Sequence, residues 1–469
     1  MRKNRMMCSA FGAGLIMTFG IAMTAFAATG WQKEGDEWRY YETDQTPASN
    51  VWKKSGDHWF YLGDDGFMVR SQLIEHGDNY YYVNSDGAQV TNQWRKLPNE
   101  EPDHEDDPDE VWYYFQPNGK AYTAPQSGRT SFKSITSGNG KTSKYAFDEK
   151  GHLLFGWVGG ESQRLTGEDA WKEGIYYCGS ADDGAMAQNE WRKLEVEDPD
   201  SDDEFFEGEY WFYFQSNGKK TVNTKKNING GKYLFLENGN AKYQWHYATD
   251  SNASAATPQN SYYKDPSQCW LAVGWFKTVP SEDIDPQAYY DDEPYWFYGL
   301  KNGGVVTNQI KTIDKRPYGF GNGGIMLHGL YKMEVQNKKI ISYEKIESEA
   351  DLPSADDTCS VYYFGDSPKE GVMQTGKTTV TLDGEKYTYH FKTSGAGTEG
   401  IYDGAIYEKG RLLTIDEGIR YGIIQFEGKE YLVNQSGKIQ KNKKNVKDAD
   451  NTYYSSDKNG IVTHQGDKE

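Results

Sequence analysis

Long apolar runs, paired cysteines and clustered histidines are all scarce in this sequence. After the first 27 residues no stretch approaches the roughly 20 apolar residues that a membrane-spanning helix needs. Cysteine occurs four times, and Cys8 lies inside the amino-terminal apolar run. The remaining Cys178, Cys269 and Cys359 are an odd, sparse set that makes no disulfide framework, and they read as buried strand thiols. The eight histidines form no metal pair; "HEDDP" (104–108) has Pro where a zinc-binding helix needs its second His. There is no Gly-x-Ser-x-Gly elbow and no arguable Cys–His constellation. "GVMQTGKT" (371–378) fits the phosphate-loop pattern, but strand-like "TVTLDGEKYTYHF" follows where a helix is required. Basic residues are also in deficit, 51 against 70 acidic, for a formal charge of −19. Such a surface repels nucleic acid and anionic membranes and suits a neutral or cationic ligand. No cofactor, no metal site and no catalytic residue is expected, and the chain reads as a non-enzyme.

Leu, Ile and Val are sparse too, so the core must come from elsewhere. Aromatics make up 15% of residues, with 36 Tyr, 20 Phe and 14 Trp, alongside 51 Gly. Rings bring large apolar area, and Tyr and Trp keep a polar handle. The amino terminus stands apart. Arg2, Lys3 and Arg5 precede an apolar run from Met6 to Phe26, and Ala25-Phe26-Ala27 fits a small-x-small cleavage site. Residues 1–27 therefore read as a secretory signal peptide, which places the protein outside the cell.

One segment is written twice: "EVWYYFQPNGK" (110–120) and "EYWFYFQSNGK" (209–219). Weaker copies run through the chain, among them "DHWFYLGDDG" (57–66), "DNYYYVNSDG" (78–87), "GKYLFLENG" (231–239) and "PYWFYGLKNG" (294–303). About fourteen units of roughly 20–35 residues cover residues 30 to 465, the signature of a repeat architecture. In a strand Trp112 and Tyr114 share one face while Tyr113 and Phe115 share the other. The Asn-Gly or Asp-Gly that follows accepts the positive φ of a tight turn. The expected fold is all-β: a β-solenoid or superhelix of stacked β-hairpin repeats, one aromatic face buried between units and the other lining a groove. A longer period lies above the hairpin, since "WRKL" at 94–97 returns at 191–194, each time before an acidic insertion (99–110 and 195–209). These insertions match no calcium loop and read as mobile, solvated tips on one side, available to protein partners. The chain divides into the signal (1–27), short repeats (28–93), alternating long and short hairpins with acidic loops (94–330) and diverged repeats (331–469).

"VWKKSGDHWFYLGDDGFMV" (51–69), "GWQKEGDEWRYYETD" (30–44), "GVMQTG" (371–376), "GAMAQN" (184–189) and "GIMLHG" (324–329) resemble the cell-wall-binding, choline-binding repeats of secreted bacterial surface proteins. The resemblance implies a superhelix of hairpins with quaternary ammonium groups caged between neighbours. A cation without N–H donors has ring faces as its best partners. Carried onto this chain, it implies cages at Trp31 with Trp38, closed by Trp59, and at Trp52 with Trp59, closed by Tyr80. Further pairs are Trp94 with Trp112, Trp191 with Trp211, and Trp275 with Trp296. The implied partner is a bacterial cell-wall polymer, a choline-bearing teichoic acid or glycan, and the implied location is the cell surface. Similar hairpins occur in glucan-binding repeats and in toxin receptor-binding repeats. Carbohydrate binding is thus the alternative, and a structural surface scaffold the next.

Overall fold

The computed structural model describes residues 29–468 except 101, 103–105, 200, 202–205, 248–259, 355–356, 366–369 and 449. The expected signal peptide lies outside the described residues. Two compact units are formed, one from the chain up to 226 together with 234–241, the other from 227–233 and residues from 242 onward. Each is an all-β stack of hairpin repeats, and every pairing between named strands is antiparallel.

In the first unit the repeat is a two-stranded hairpin whose first strand opens near a Trp and whose second strand is the aromatic run. Val51–Ser55 pairs with His58–Leu62, Gln93–Pro98 with Glu110–Phe115, and Glu190–Glu195 with Glu209–Phe214. The turn expected at Asn-Gly therefore comes after the hairpin and does not join its strands. Asn118 Oδ1 accepts the N–H of Lys120, and Gly119 at φ +83° folds the chain back so that Ala121 bridges Phe115.

Two-stranded ribbons are marginal alone, and consecutive repeats are tied in two ways. The first is a backbone hydrogen bond from the residue two places after the turn glycine to the previous hairpin. Met68 N–H donates to Trp38 O, Gln89 to Trp59 O, Ala121 to Tyr80 O, Leu153 to Trp112 O and Ala241 to Trp211 O, each at 2.8 Å. The second is ring packing, and here the structure differs from expectation. Both faces of the aromatic run are buried between repeats, not one. Tyr113 and Phe115 pack back onto Leu73, Tyr80 and Tyr82 of the preceding hairpin, while Tyr114 packs forward with Tyr145 and Phe147 of the following one. Sheets with neighbours on both sides bury both faces, so the alternation of the strand is spent on two interfaces.

The second unit begins with the same hairpins, Gln244–Tyr247 with Asn260–Tyr263 and Gly274–Thr278 with Tyr295–Gly299. Beyond residue 305 two-stranded hairpins give way in part to larger sheets, though Tyr421–Phe426 and Lys429–Asn434 still form one. Two five-stranded sheets appear, one built around Gly329–Gln336 and Lys339–Ile346, the other around Gly376–Leu382 and Glu385–Phe391. Their strands reach eight and seven residues, long enough for extra strands to add at the edge. Gly376-Lys377-Thr378 opens one of these strands, which rules the phosphate-loop geometry out there. Among the described residues Cys178 and Cys269 are buried and Cys359 is half-buried, and burial pushes the Cys178 thiol up to about 12. Cys178 and Cys269 both sit outside the named strands.

The glycine after each aromatic run is also a contact. A Cβ on Gly218 would lie 2.2 Å from Met186 Sδ, the residue two places after the previous turn glycine. Gly140 has the same backbone (φ +81°) with nothing within 4 Å of such a Cβ. Gly140→Ala should therefore cost about 1–2 kcal/mol of left-handed strain alone. Gly218→Ala should cost about 1–3 kcal/mol more from overpacking, and combining it with Met186→Ala should recover part of that excess. Thermal unfolding by circular dichroism reads the difference; equal losses for the two glycines would show that the contact contributes nothing.

Candidate ligand-binding site

Strand register decides which rings meet. In five hairpins a first-strand Trp pairs with a second-strand Tyr, and the residue two places along pairs a Lys with an aromatic wall. The pairs are Trp31 with Tyr40, Trp52 with Tyr61, Trp94 with Tyr114, Trp191 with Tyr213 and Trp275 with Tyr298. The next rung sets Lys33 against Trp38, Lys54 against Trp59, Lys96 against Trp112, Lys193 against Trp211 and Lys277 against Trp296. Residues two apart share a face, so both tryptophans and the tyrosine of each hairpin look the same way, toward the following repeat. The acidic insertions lengthen the loop without disturbing this rung, which is why distant tryptophans still meet.

The three long hairpins repeat one geometry. Trp94 and Trp112 lie 6.4 Å apart at 88°, Trp191 and Trp211 6.2 Å apart at 85°, and Trp275 and Trp296 6.3 Å apart at 89°. The tyrosine of the same hairpin lies 5.1–5.3 Å from the first Trp in each. The following hairpin closes the set with Tyr145 at 4.9 Å and Phe147 at 5.9 Å from Trp94. Phe235 does so at 5.5 Å from Trp191, and Tyr318 at 4.8 Å and Phe320 at 5.8 Å from Trp275.

At the short hairpins the expected closing rings are displaced by one residue. Trp52 meets Tyr81 at 5.2 Å, while Tyr80 packs on the opposite side with Val90 and Tyr113. Trp31 likewise meets Phe60 at 5.5 Å, and Trp59 faces forward, 44% exposed. The cause is strand alternation: Trp59 and Tyr61, or Tyr80 and Tyr82, look forward, while Phe60 and Tyr81 between them look back. Trp38 packs beside Trp31 in the same core.

The Trp94 site adjoins a cavity of about 610 Å³, lined by Trp94, Trp112, Tyr114 and Tyr122 together with Asp182 and Asp183. Trp112 Nε1 donates to Asp182 Oδ1 (3.4 Å), as does Lys96 Nζ (3.1 Å). Lys96, and then Trp112, hold the Asp182 carboxyl below the usual carboxylate range. Sequence spacing gave no sign of these carboxylates, which enter from a segment 70 residues away. The tips of the acidic insertions, expected to be mobile, lie outside the described residues; beside this site Arg164 pairs with Asp106 (2.7 Å) and Asp107 (2.6 Å) of the first insertion. The second insertion accepts a hydrogen bond from Trp171 Nε1 at Glu197 O (3.0 Å). Both are held by residues of 159–174.

Two further sets were missed because their second wall is not a Trp. Trp245 pairs with Tyr262 and meets Phe297 at 4.9 Å, its indole N–H donating to Val279 O (3.0 Å). Trp157 pairs with Tyr177 and meets Phe212 at 5.1 Å and Phe214 at 6.0 Å. In this second set a cation is already in place. The Lys220 ammonium, on a residue 5% exposed, lies 5.1 Å from the Trp157 centroid and 5.9 Å from that of Phe212. It donates to Trp171 O and to Lys172 O (3.1 Å) at the end of the helix Ala170–Glu173.

The family profile of the cell wall binding repeat, of choline-binding type, matches residues 51–68, 71–88 and 109–121. The chain thus carries this repeat, including Trp52, Trp59 and Trp112. No curated protein sequence matches the chain. Among solved structures, the modular autolysin LytC of Streptococcus pneumoniae is 19% identical with a TM-score of 0.35; the match covers 66% of this chain and 55% of that one. The chain therefore spans just over half that autolysin's length. The choline-binding domain of CbpL from Streptococcus pneumoniae is 22% identical (TM-score 0.32), covering 52% of this chain and 98% of that domain. Choline binding protein F of Streptococcus pneumoniae is 17% identical (TM-score 0.24), covering 82% and 100%. Among the described residues no helix is long and apolar enough to cross a membrane.

Burial pulls the Lys220 ammonium down to about 8, whereas an unfolded lysine holds its proton to about 10.4. Between those values the unfolded chain binds more protons, so stability should rise with pH across that window. The gain should be at most about 3 kcal/mol, reduced by the two carbonyl acceptors and the ring faces. Lys220→Met should lack the rise. Matching unfolding profiles for the two proteins from pH 7.5 to 10.5 would count against a buried, charged Lys220.

Proposed function

We propose that this protein binds the bacterial cell wall by holding choline-type quaternary ammonium groups in aromatic cages between successive hairpins, without catalysing a reaction. The observation that carries this reading is the right-angled tryptophan pair, repeated at 6.2–6.4 Å in three hairpins and closed each time by rings of the next repeat. Two perpendicular ring faces present negative quadrupole to one point, and a quaternary ammonium gains about 0.5–2 kcal/mol per face there. At the Trp94 cavity Asp182 is already paired with Lys96, and Asp183 adds a favourable field for a cation. Lys220, seated on Trp157 and Phe212, is an ammonium in an equivalent ring set of the same molecule.

In this reading the ligand is a choline-bearing teichoic acid or glycan, bound by a secreted protein at the cell surface. Several cages on one chain raise the avidity for a repeating polymer, because the second contact is made at the high effective concentration set by the first. The acidic insertions offer a surface to protein partners.

Choline and tetramethylammonium should produce the same saturable change in tryptophan fluorescence of the full chain. Trp112→Phe keeps most of the ring area but weakens the quadrupole. It should reduce affinity at that site about three- to tenfold, with melting temperature nearly unchanged. Trp59→Phe should do the same at the shorter hairpin. A flat response to choline up to tens of millimolar sinks the cage reading, and a response to wall oligosaccharides alone would leave carbohydrate as the ligand.

A further inference from the structure

A second kind of site lies in the second unit, and its chemistry is opposite to that of the cages. A shallow cleft of about 740 Å³ is lined by Lys232, Lys264 and Lys301 with Tyr233, Trp270 and Val273, and no carboxylate is among its lining residues. In a chain of formal charge −19, three ammonium groups around one cleft are a local inversion of sign. The lysines are placed by the fold. Lys232 Nζ donates to Lys301 O at 2.6 Å, and Lys264 Nζ stands 5.2 Å from the Trp270 ring centroid.

Trp270 lies outside the paired strands that carry Trp245, Trp275 and Trp296. It follows the strand Asn260–Tyr263 in a turn, between buried Cys269 and Leu271, yet is 37% exposed, and Val273 beside it is 49% exposed. Its neighbours anchor the loop while the indole remains open to the cleft.

We infer that this cleft binds a sugar ring carrying a phosphate group. An exposed indole beside ammonium groups fits a ligand with one apolar flat face and one compact anion; the C–H face of a pyranose supplies the first, and phosphate the second. A quaternary ammonium is repelled by the three lysines, so the site does not duplicate the cages. A long polyanion such as nucleic acid is repelled by the rest of the surface, which leaves single phosphates spaced along a neutral glycan, or a free sugar phosphate. The inference stands independently of the choline reading.

The test is saturation-transfer NMR and calorimetry on the full chain with glucose 6-phosphate, glucose and inorganic phosphate. Glucose 6-phosphate should bind best, with affinity falling as salt rises. Trp270→Ala should abolish saturation of the sugar protons and lower affinity about tenfold, by analogy with loss of an aromatic stacking platform. Lys232→Gln with Lys264→Gln should erase the preference over glucose. Trp270→Ala should leave choline titrations unchanged, which separates this site from the cages. A phosphodiester-linked glycan fragment that binds more tightly than the monomer identifies polymer as the source; equal affinity identifies the free sugar phosphate. No binding of glucose 6-phosphate at tens of millimolar overturns the inference, as does wild-type affinity in the lysine double variant.

Discussion

Ring packing between successive hairpins is the interaction on which the structure rests. A two-stranded ribbon buries too little to persist in water, and between many of these repeats the backbone link is very sparse. The dominant contact is the first-strand Trp lying against rings of the next hairpin, as Trp94 lies against Tyr145 and Phe147. This explains a composition poor in aliphatic residues. A thin, two-layered ribbon needs side chains that cover large area from few positions, and aromatics do so with few rotatable bonds.

The proposed cages and the core are consequently the same set of residues. The inner end of these sets is closed by fully buried rings such as Phe214, Phe235 and Phe320, and the outer end of the long hairpins is left to the second tryptophan. Trp59 at 44% exposed shows how far that outer wall stands from the core. Specificity is then decided by what fills the outer end. At the Trp94 hairpin it is open space and two aspartates; at Trp157 it is Lys220; at Trp245 the indole N–H is already satisfied by a backbone carbonyl. One architecture thus yields open, self-filled and sealed versions of the same ring set.

The repeat, the β class and the tryptophan pairs were legible in the sequence because period-two alternation and turn glycines are local signals. Trp112 and Tyr114 could be placed on one face from the strand alone. Which neighbour that face meets could not, since the choice between preceding and following hairpin is a tertiary fact. The expected closing residues Tyr80 and Trp59 therefore fell one place from Tyr81 and Phe60. Asp182 was invisible for a different reason: it reaches Trp112 from a turn two hairpins on, and no spacing rule links them. The five-stranded sheets escaped because their strands differ from the others in length more than in residue type.

The single backbone hydrogen bond between repeats has a mechanical meaning. A ladder of many bonds loaded together resists as one body, whereas contacts arranged in series give way singly. Pulled from its ends, the first unit would release one hairpin before the next, and each release of roughly 20–30 residues would add about 70–100 Å of contour. The aromatic interfaces still in place would keep the ligands proposed for them. A chain fastened to a surface at several points would thereby lengthen under shear without letting go, acting as an extensible tether.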